Sequence, residues 1–247
     1  MSMYENIALQ LWSVHEDAEN DLEGTLRRLA EAGINGFEHF KVPDISREDY
    51  AAMIKNYGMS VPSIHLGYEL LLERWEEYCD FLLPLGLKTI VMPGWHPKND
   101  EEYEWFASGF DKLGEKIRSA GADLLYHNHI VEFTECKKDG KPYWYRMLDD
   151  FPGIAFQLDC YWAKLGGCDI MDMLAKYPDR IRSLHVKNGK GEHPSCDIDK
   201  GIIDFEPILA RAEELGMEWT ILEFEAEPSD SYGFSERAVK YIRSLKK

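Results

Sequence analysis

The sequence predicts an α/β protein, a (β/α)8 TIM barrel built as a single domain over residues 1–247. Three observations predict it. Short apolar runs alternate with amphipathic segments from end to end, eight times over, and right-handed crossovers turn that alternation into a parallel sheet. The length of 247 residues suits one closed barrel. Gln10–Glu19, after the first apolar run, contains no glycine, whereas an open nucleotide-binding sheet wants a glycine-rich turn there.

The elements follow in order. Ile7–Trp12 reads as the first strand, and Leu22, Leu26, Leu29 and Ala30 then recur at helical spacing before the stop at Gly33. Strand two lies near Ile34–Phe40. Ser46, three residues before Asp49, caps a helix with the stripe Tyr50, Met53, Ile54, Tyr57 and a stop at Gly58. Strand three is Ser60–Leu66, followed by a helix through Leu71, Trp75, Tyr78, Cys79 and Leu82. Thr89–Met92 is strand four, and Phe106, Phe110, Leu113 and Ile117 line the next helix, which ends by Gly121. Strand five is Asp123–His129, with a short helix over Tyr143–Asp150. Strand six is Ile154–Asp159, with a helix over Asp169–Tyr177, and strand seven is Ile181–Lys187. Asp204 caps a helix through Ile208, Leu209, Ala212 and Leu215; strand eight is Trp219–Phe224, and the last helix is Ser235–Leu245.

Charge and cysteines exclude whole classes. With 28 Lys+Arg against 45 Asp+Glu the net charge is −17, which repels nucleic acid and anionic membranes alike. No run of about 18 apolar residues is present to span a bilayer, and the segment Met1–Asn6 predicts no secretory leader. Five scattered cysteines without CxxC pairing read as reduced thiols of a cytoplasmic protein. Trp75 and Trp105 either mark a homo-oligomer surface or pack helices.

In such a barrel chemistry sits at the C-terminal ends of the strands. Glu132 just past strand five, Asp159 ending strand six, His185 in strand seven and Glu223 in strand eight come from four successive units. Three carboxylates and an imidazole suit one divalent metal: Mn²⁺, Mg²⁺ or Co²⁺, with Zn²⁺ also compatible. Crowded charges at a barrel mouth repel unless a cation neutralises them, although each residue alone is explained as a solvated strand terminus. Alternation along a strand puts His185 and Lys187 on one side, and likewise Glu223 with Glu225 and His127 with His129. Lys187 either donates to a substrate oxygen or makes a salt bridge to Glu225 or Asp159. His129 is a catalytic candidate beside Glu132, Glu223 and Lys187, and His127 and Glu225 are substrate contacts, unless the histidines only hold neighbouring carboxylates. His65, Glu38 and His39 line the sugar side or serve structure alone. Trp12, Trp95 and Trp162 stack on a sugar face or cap the core. Lys187–Gly191 is either a phosphate loop or a solvated turn.

These segments resemble the sugar phosphate isomerase/epimerase superfamily with the xylose isomerase-like barrel. The resemblance runs through Leu9–Val14, Tyr126–His129 with Val131–Phe133, Gln157–Trp162 with Gly166 and Gly167, Leu184–Lys187, Gly201–Phe205 and Leu222–Glu223. It implies the metal set Glu132, Asp159, His185 and Glu223. It also implies departures from ketose 3-epimerases, which carry a His where Trp162 stands and an Arg where Gly191 stands. The expected activity is a divalent-metal-dependent isomerase or epimerase acting on a ketose or related polyol ketone, phosphorylated or not, through a metal-bound enediolate. The alternatives are a lyase or dehydratase acting on inososes or 3-keto sugars by the same enolate chemistry, and a noncatalytic sugar-binding barrel. The partner is a small carbohydrate in every case.

Overall fold

A computed structural model describes residues 2–134, 136, 139–191, 196–225 and 230–246. Among these residues there are eight strands: β1 (Ile7–Gln10), β2 (Gly36–Glu38), β3 (Ile64–His65), β4 (Thr89–Pro93), β5 (Asp123–His127), β6 (Ala155–Asp159), β7 (Ile181–Val186) and β8 (Thr220–Leu222). Between and after them run α1 (His15–Asn20), α2 (Leu22–Glu31), α3 (Arg47–Asn56), α4 (Tyr68–Leu82), α5 (Asp100–Ala120), α6 (Tyr143–Asp150), α7 (Cys160–Leu165), α8 (Ile170–Lys176), α9 (Phe205–Glu214) and α10 (Ser231–Ser244). The strands form one sheet in the order β2-β1-β8-β7-β6-β5-β4-β3, with parallel pairing. Isolated parallel bridges, Gly36 to Ser60 and His39 to Ile64, join the two ends of that order. This is the (β/α)8 class that the alternating pattern predicts. Two compact units divide the chain: Met1–Ile64 with Ser183–Lys247, and His65–Arg182.

Local chemistry explains the elements. Ser46 accepts the Asp49 N–H at 3.0 Å to start α3, and Asn99 accepts the Glu102 N–H at 2.9 Å to start α5. In α5 the predicted stripe Phe106, Phe110, Leu113, Ile117 is buried, whereas in α3 only Tyr50 is. In the second unit Val91, Leu125 and Ala155 make one layer, each paired across the sheet with the next.

Strand three is far shorter than the expected Ser60–Leu66, and at three other departures from expectation a side chain takes over a backbone bond. Gln10 accepts the Trp12 N–H at 3.1 Å, so β1 stops there and Leu11–Val14 turns into a 3-10 helix. Asp159 accepts the Trp162 N–H at 2.9 Å, which starts α7 with no intervening loop. Ser13 Oγ accepts the Phe224 N–H at 3.0 Å, and β8 ends at Leu222. All five cysteines are free thiols, and among the described residues no helix is long and apolar enough to cross a membrane.

The loop after β7 is tied down by one buried amide. Asn188 Nδ2 donates to the carbonyls of Ile198 (2.7 Å) and Ile203 (2.8 Å), while its Oδ1 accepts from Gly189 N (3.0 Å) and Ile203 N (3.2 Å). That uses both donors and both acceptor positions of the side chain. Gly201 must approach it closely, because a Cβ at this position would lie 2.0 Å from Asn188 Oδ1. Gly201→Ala is therefore expected to destabilise the protein by roughly 1–3 kcal/mol. Urea unfolding checks this, and an unchanged midpoint would show that the loop yields at no cost.

Candidate active site

The first unit brings His185, Glu223, Lys187 and Glu38 together. His185 is fully buried; its Nδ1 lies 3.0 Å from Glu223 Oε2 and its Nε2 lies 2.6 Å from Glu38 Oε1. Burial alone would lower the imidazole pKa, but the two carboxylates outweigh it and push it up to about 10. Lys187, 1% exposed, sets its Nζ 2.8 Å from Glu223 and 3.0 Å from Glu225. The expected shared side of His185 with Lys187, and of Glu223 with Glu225, is thus observed. So is the salt bridge to Glu225, and Glu223 is an additional partner of Lys187.

Glu38 and His39 part company because neighbouring residues on a strand face opposite ways. Glu38, fully buried, takes His185, the Gln10 Nε2 amide at 2.8 Å and the Ser63 hydroxyl. Glu38 therefore acts on the site through His185. His39 turns towards α3, where its Nδ1 lies 3.3 Å from the Tyr50 hydroxyl. Burial first, with Lys41 adding to it, holds the His39 pKa down at about 4.

The second unit holds Asp159, Glu132, His65, His127 and His129. Asp159 is fully buried at the end of β6, with its backbone N–H bonded to Asn128 Oδ1 at 3.0 Å. Glu132 sits in a 3-10 turn, Val131–Phe133, and is 1% exposed. The Tyr126 hydroxyl donates to its Oε1 at 2.6 Å, and the His129 N–H donates to its Oε2 at 2.8 Å. Burial raises the Glu132 pKa against the pull of those two bonds. The His65 and His127 rings, 5.1 Å apart, both meet Gln157 Oε1, at 2.9 Å from His65 Nε2 and 3.0 Å from His127 Nδ1. His129 lies 5.1 Å beyond His127, ring to ring.

The aromatic candidates diverge. Trp12 is 51% exposed, stacks on His15 at 4.6 Å and lines a cavity of about 350 Å³ with Ser13, Glu16, Phe224 and Glu225. Trp95 lies flat on Phe106 at 5.1 Å and edges Tyr68, so it packs β4's loop onto α4 and α5. Trp162 is half-buried beside Tyr161. Sequence reasoning passed over Gln10, Gln157, Tyr126 and His96. An amide or hydroxyl that orients another side chain has no spacing signature of its own.

The donor chemistry fits a divalent cation. A buried imidazole with one nitrogen on a carboxylate (Glu38) and the other facing a second buried carboxylate (Glu223) is the arrangement that orients histidine ligands for metals. Comparisons with known proteins agree in fold. An inosose dehydratase from Lacticaseibacillus casei is 26% identical over 216 residues, which cover 71% of this chain and 70% of that protein. An inosose dehydratase from Clostridium perfringens is 24% identical over 271 residues, covering 91% of this chain and 90% of its own. The crystal structure of a sugar phosphate isomerase/epimerase from Parabacteroides distasonis has a TM-score of 0.80 at 24% identity, covering 97% of this chain and 94% of that one. The family model for the xylose isomerase-like TIM barrel matches residues 26–246, and to that family the chain belongs.

Proposed function

We propose that the protein is a divalent-metal-dependent carbohydrate lyase that removes the proton beside the carbonyl of an inosose or 3-keto sugar and expels a β-hydroxyl as water. Asp159, His185 and Glu223, with Glu132, would hold the ion, Mn²⁺, Co²⁺ or Mg²⁺ by donor type. A cation there would polarise the substrate carbonyl and acidify the adjacent C–H. The observation that carries the lyase reading is the buried contact of 2.8 Å between Lys187 Nζ and Glu223 Oε2.

That pair contains both partners an elimination needs. Glu223 takes the α-proton on its carboxylate, the C–H electrons form the new C=C bond, and the C–O bond breaks. Lys187 gives its proton to the departing oxygen, so water leaves. Proton transfer from Glu223 back to Lys187 then resets both groups. Glu132, its pKa raised by burial, is the second base. His129 is the second proton donor, and Trp12 with Glu225 offers the sugar a stacking face and a hydroxyl acceptor at the cavity. The inosose dehydratase relatives support elimination, as do Trp162 and Gly191 at the positions where the epimerase pattern has His and Arg.

The test is ¹H NMR of the Mn²⁺-loaded protein with an inosose and a 3-keto glucoside in D₂O. Loss of water or of the β-substituent is the expected result. Deuterium incorporation with an epimer or isomer and no elimination would replace this reading with the isomerase one. Binding with no exchange at any carbon would leave a sugar-binding barrel.

A further inference from the structure

Lys187 and Glu223 come from different strands, and the sheet alone does not fix them against each other. The β7–β8 ladder matches His185 with Ile221 and Val186 with Leu222, and the Glu223 N–H reaches the Val186 carbonyl at 3.3 Å. β7 ends at Val186 and β8 at Leu222, so Lys187 lies past the paired segments. Helix α10 takes hold of both strand ends. On the β8 side Phe224 packs on Phe234, with ring centres 4.2 Å apart. On the β7 side, three residues further along α10, the Arg237 guanidinium grips Asp197: Nε donates to Oδ1 at 2.8 Å and Nη2 lies 2.7 Å from the same oxygen. Nη2 also donates to Oδ2 of Asp230, the N-cap of α10, at 2.6 Å. Gly233 leaves this clasp room, since a Cβ there would lie 2.6 Å from Asp230 Oδ1 and 3.1 Å from Arg237 Nη1. Asp197 precedes Ile198, whose carbonyl accepts from Asn188 Nδ2, and Asn188 follows Lys187 in the chain. All of these residues belong to the first unit.

We propose that Arg237 is a positioning residue for the Lys187–Glu223 pair. It ties the loop that follows Lys187 to the helix that packs on the strand end carrying Glu223. Phe234 and Arg237, three residues apart, are neighbours on the surface of α10, so one short stretch of helix sets both placements. Stability is the smaller effect, because the Arg237 side chain is 43% exposed and ion pairs in water contribute little. Geometry is the larger one, because moving a reacting group by 1 Å can cost about a hundredfold in rate. The kinetic consequence rests on the lyase reading; the placement of Lys187 does not.

The experiment has a kinetic arm and a labelling arm. The full chain is compared with Arg237→Ala, Arg237→Lys, Asp197→Asn and a control, Arg211→Ala, which removes an exposed pair with Glu214 on α9. In the elimination assay Arg237→Ala is expected to lose about tenfold in kcat, with KM within about twofold and an unchanged urea midpoint. Asp197→Asn should follow it, and Arg237→Lys, which keeps the charge without the planar fork, should fall between it and the wild type. In the second arm, amines are acetylated and mapped by mass spectrometry of peptides. Lys187, 1% exposed, is expected to stay protected in the wild type and in Arg211→Ala, and to become labelled in Arg237→Ala and Asp197→Asn. Protection of Lys187 in both of those variants would overturn the proposal, as would wild-type kcat in Arg237→Ala or an equal loss in Arg211→Ala. Should the wild type eliminate nothing, the lyase reading falls, and the acetylation pattern alone decides for or against Arg237.

Discussion

If Asp159 holds the proposed ion, Asp159→Asn is expected to lower the affinity for Mn²⁺ at least about a hundredfold and turnover by about a hundred- to a thousandfold, while the metal-free protein unfolds at nearly the same urea concentration. Losing only an outer partner of a metal ligand typically costs about 10–100-fold in affinity or activity, so removing the charge of the proposed ligand itself is expected to reach at least the upper end. The substitution separates this effect from folding because it leaves shape and cap in place. Asp159 Oδ1 starts α7 by accepting the Trp162 N–H, and an asparagine oxygen caps a helix about as well. Isothermal titration with Mn²⁺ and chemical unfolding check affinity and stability, and the NMR elimination assay checks turnover. Wild-type affinity in the variant would remove Asp159 from the ligand set.

Between pH 6.5 and 4 the protein is expected to lose up to about 3 kcal/mol of stability through His39 alone. Its pKa falls from an ordinary 6.5 to about 4 on folding, chiefly through burial. The unfolded chain therefore binds more protons across that window, so stability is complete above pH 6.5 and is lost as pH falls towards 4. Urea unfolding at pH 7.5, 6.0 and 4.5 measures the slope, and His39→Gln should flatten it by that amount relative to wild type. Parallel pH slopes for the two proteins would show that His39 is as readily protonated folded as unfolded.

Alternation and periodicity carried much of the fold and part of the site. The α6 bounds, Tyr143–Asp150, were readable to the residue, and the period of two along a strand correctly grouped His185 with Lys187 and Glu223 with Glu225. The losses came where side chains compete with the main chain. Gln10 and Asp159 end their strands by capping the next turn, and polarity at a strand end does not announce that. Glu38 and His39 looked equivalent as pocket residues because β2 is only three residues long. Their separation depends on partners, His185 and Tyr50, that no local pattern connects to them. Trp95 looked like a stacking platform until Phe106 covered its face. His96 lies outside every strand, and its contact with His129 depends on how the loop at Gly94 runs.

The bond pair on Gln157 has a chemical consequence for two rings at once. With one amide oxygen as acceptor for His65 Nε2 and His127 Nδ1, both of those nitrogens carry hydrogen. The lone pair of each ring in its neutral form then falls on the opposite atom, Nδ1 in His65 and Nε2 in His127. A single glutamine oxygen thus selects opposite tautomers in adjacent imidazoles, Nε2–H in His65 and Nδ1–H in His127.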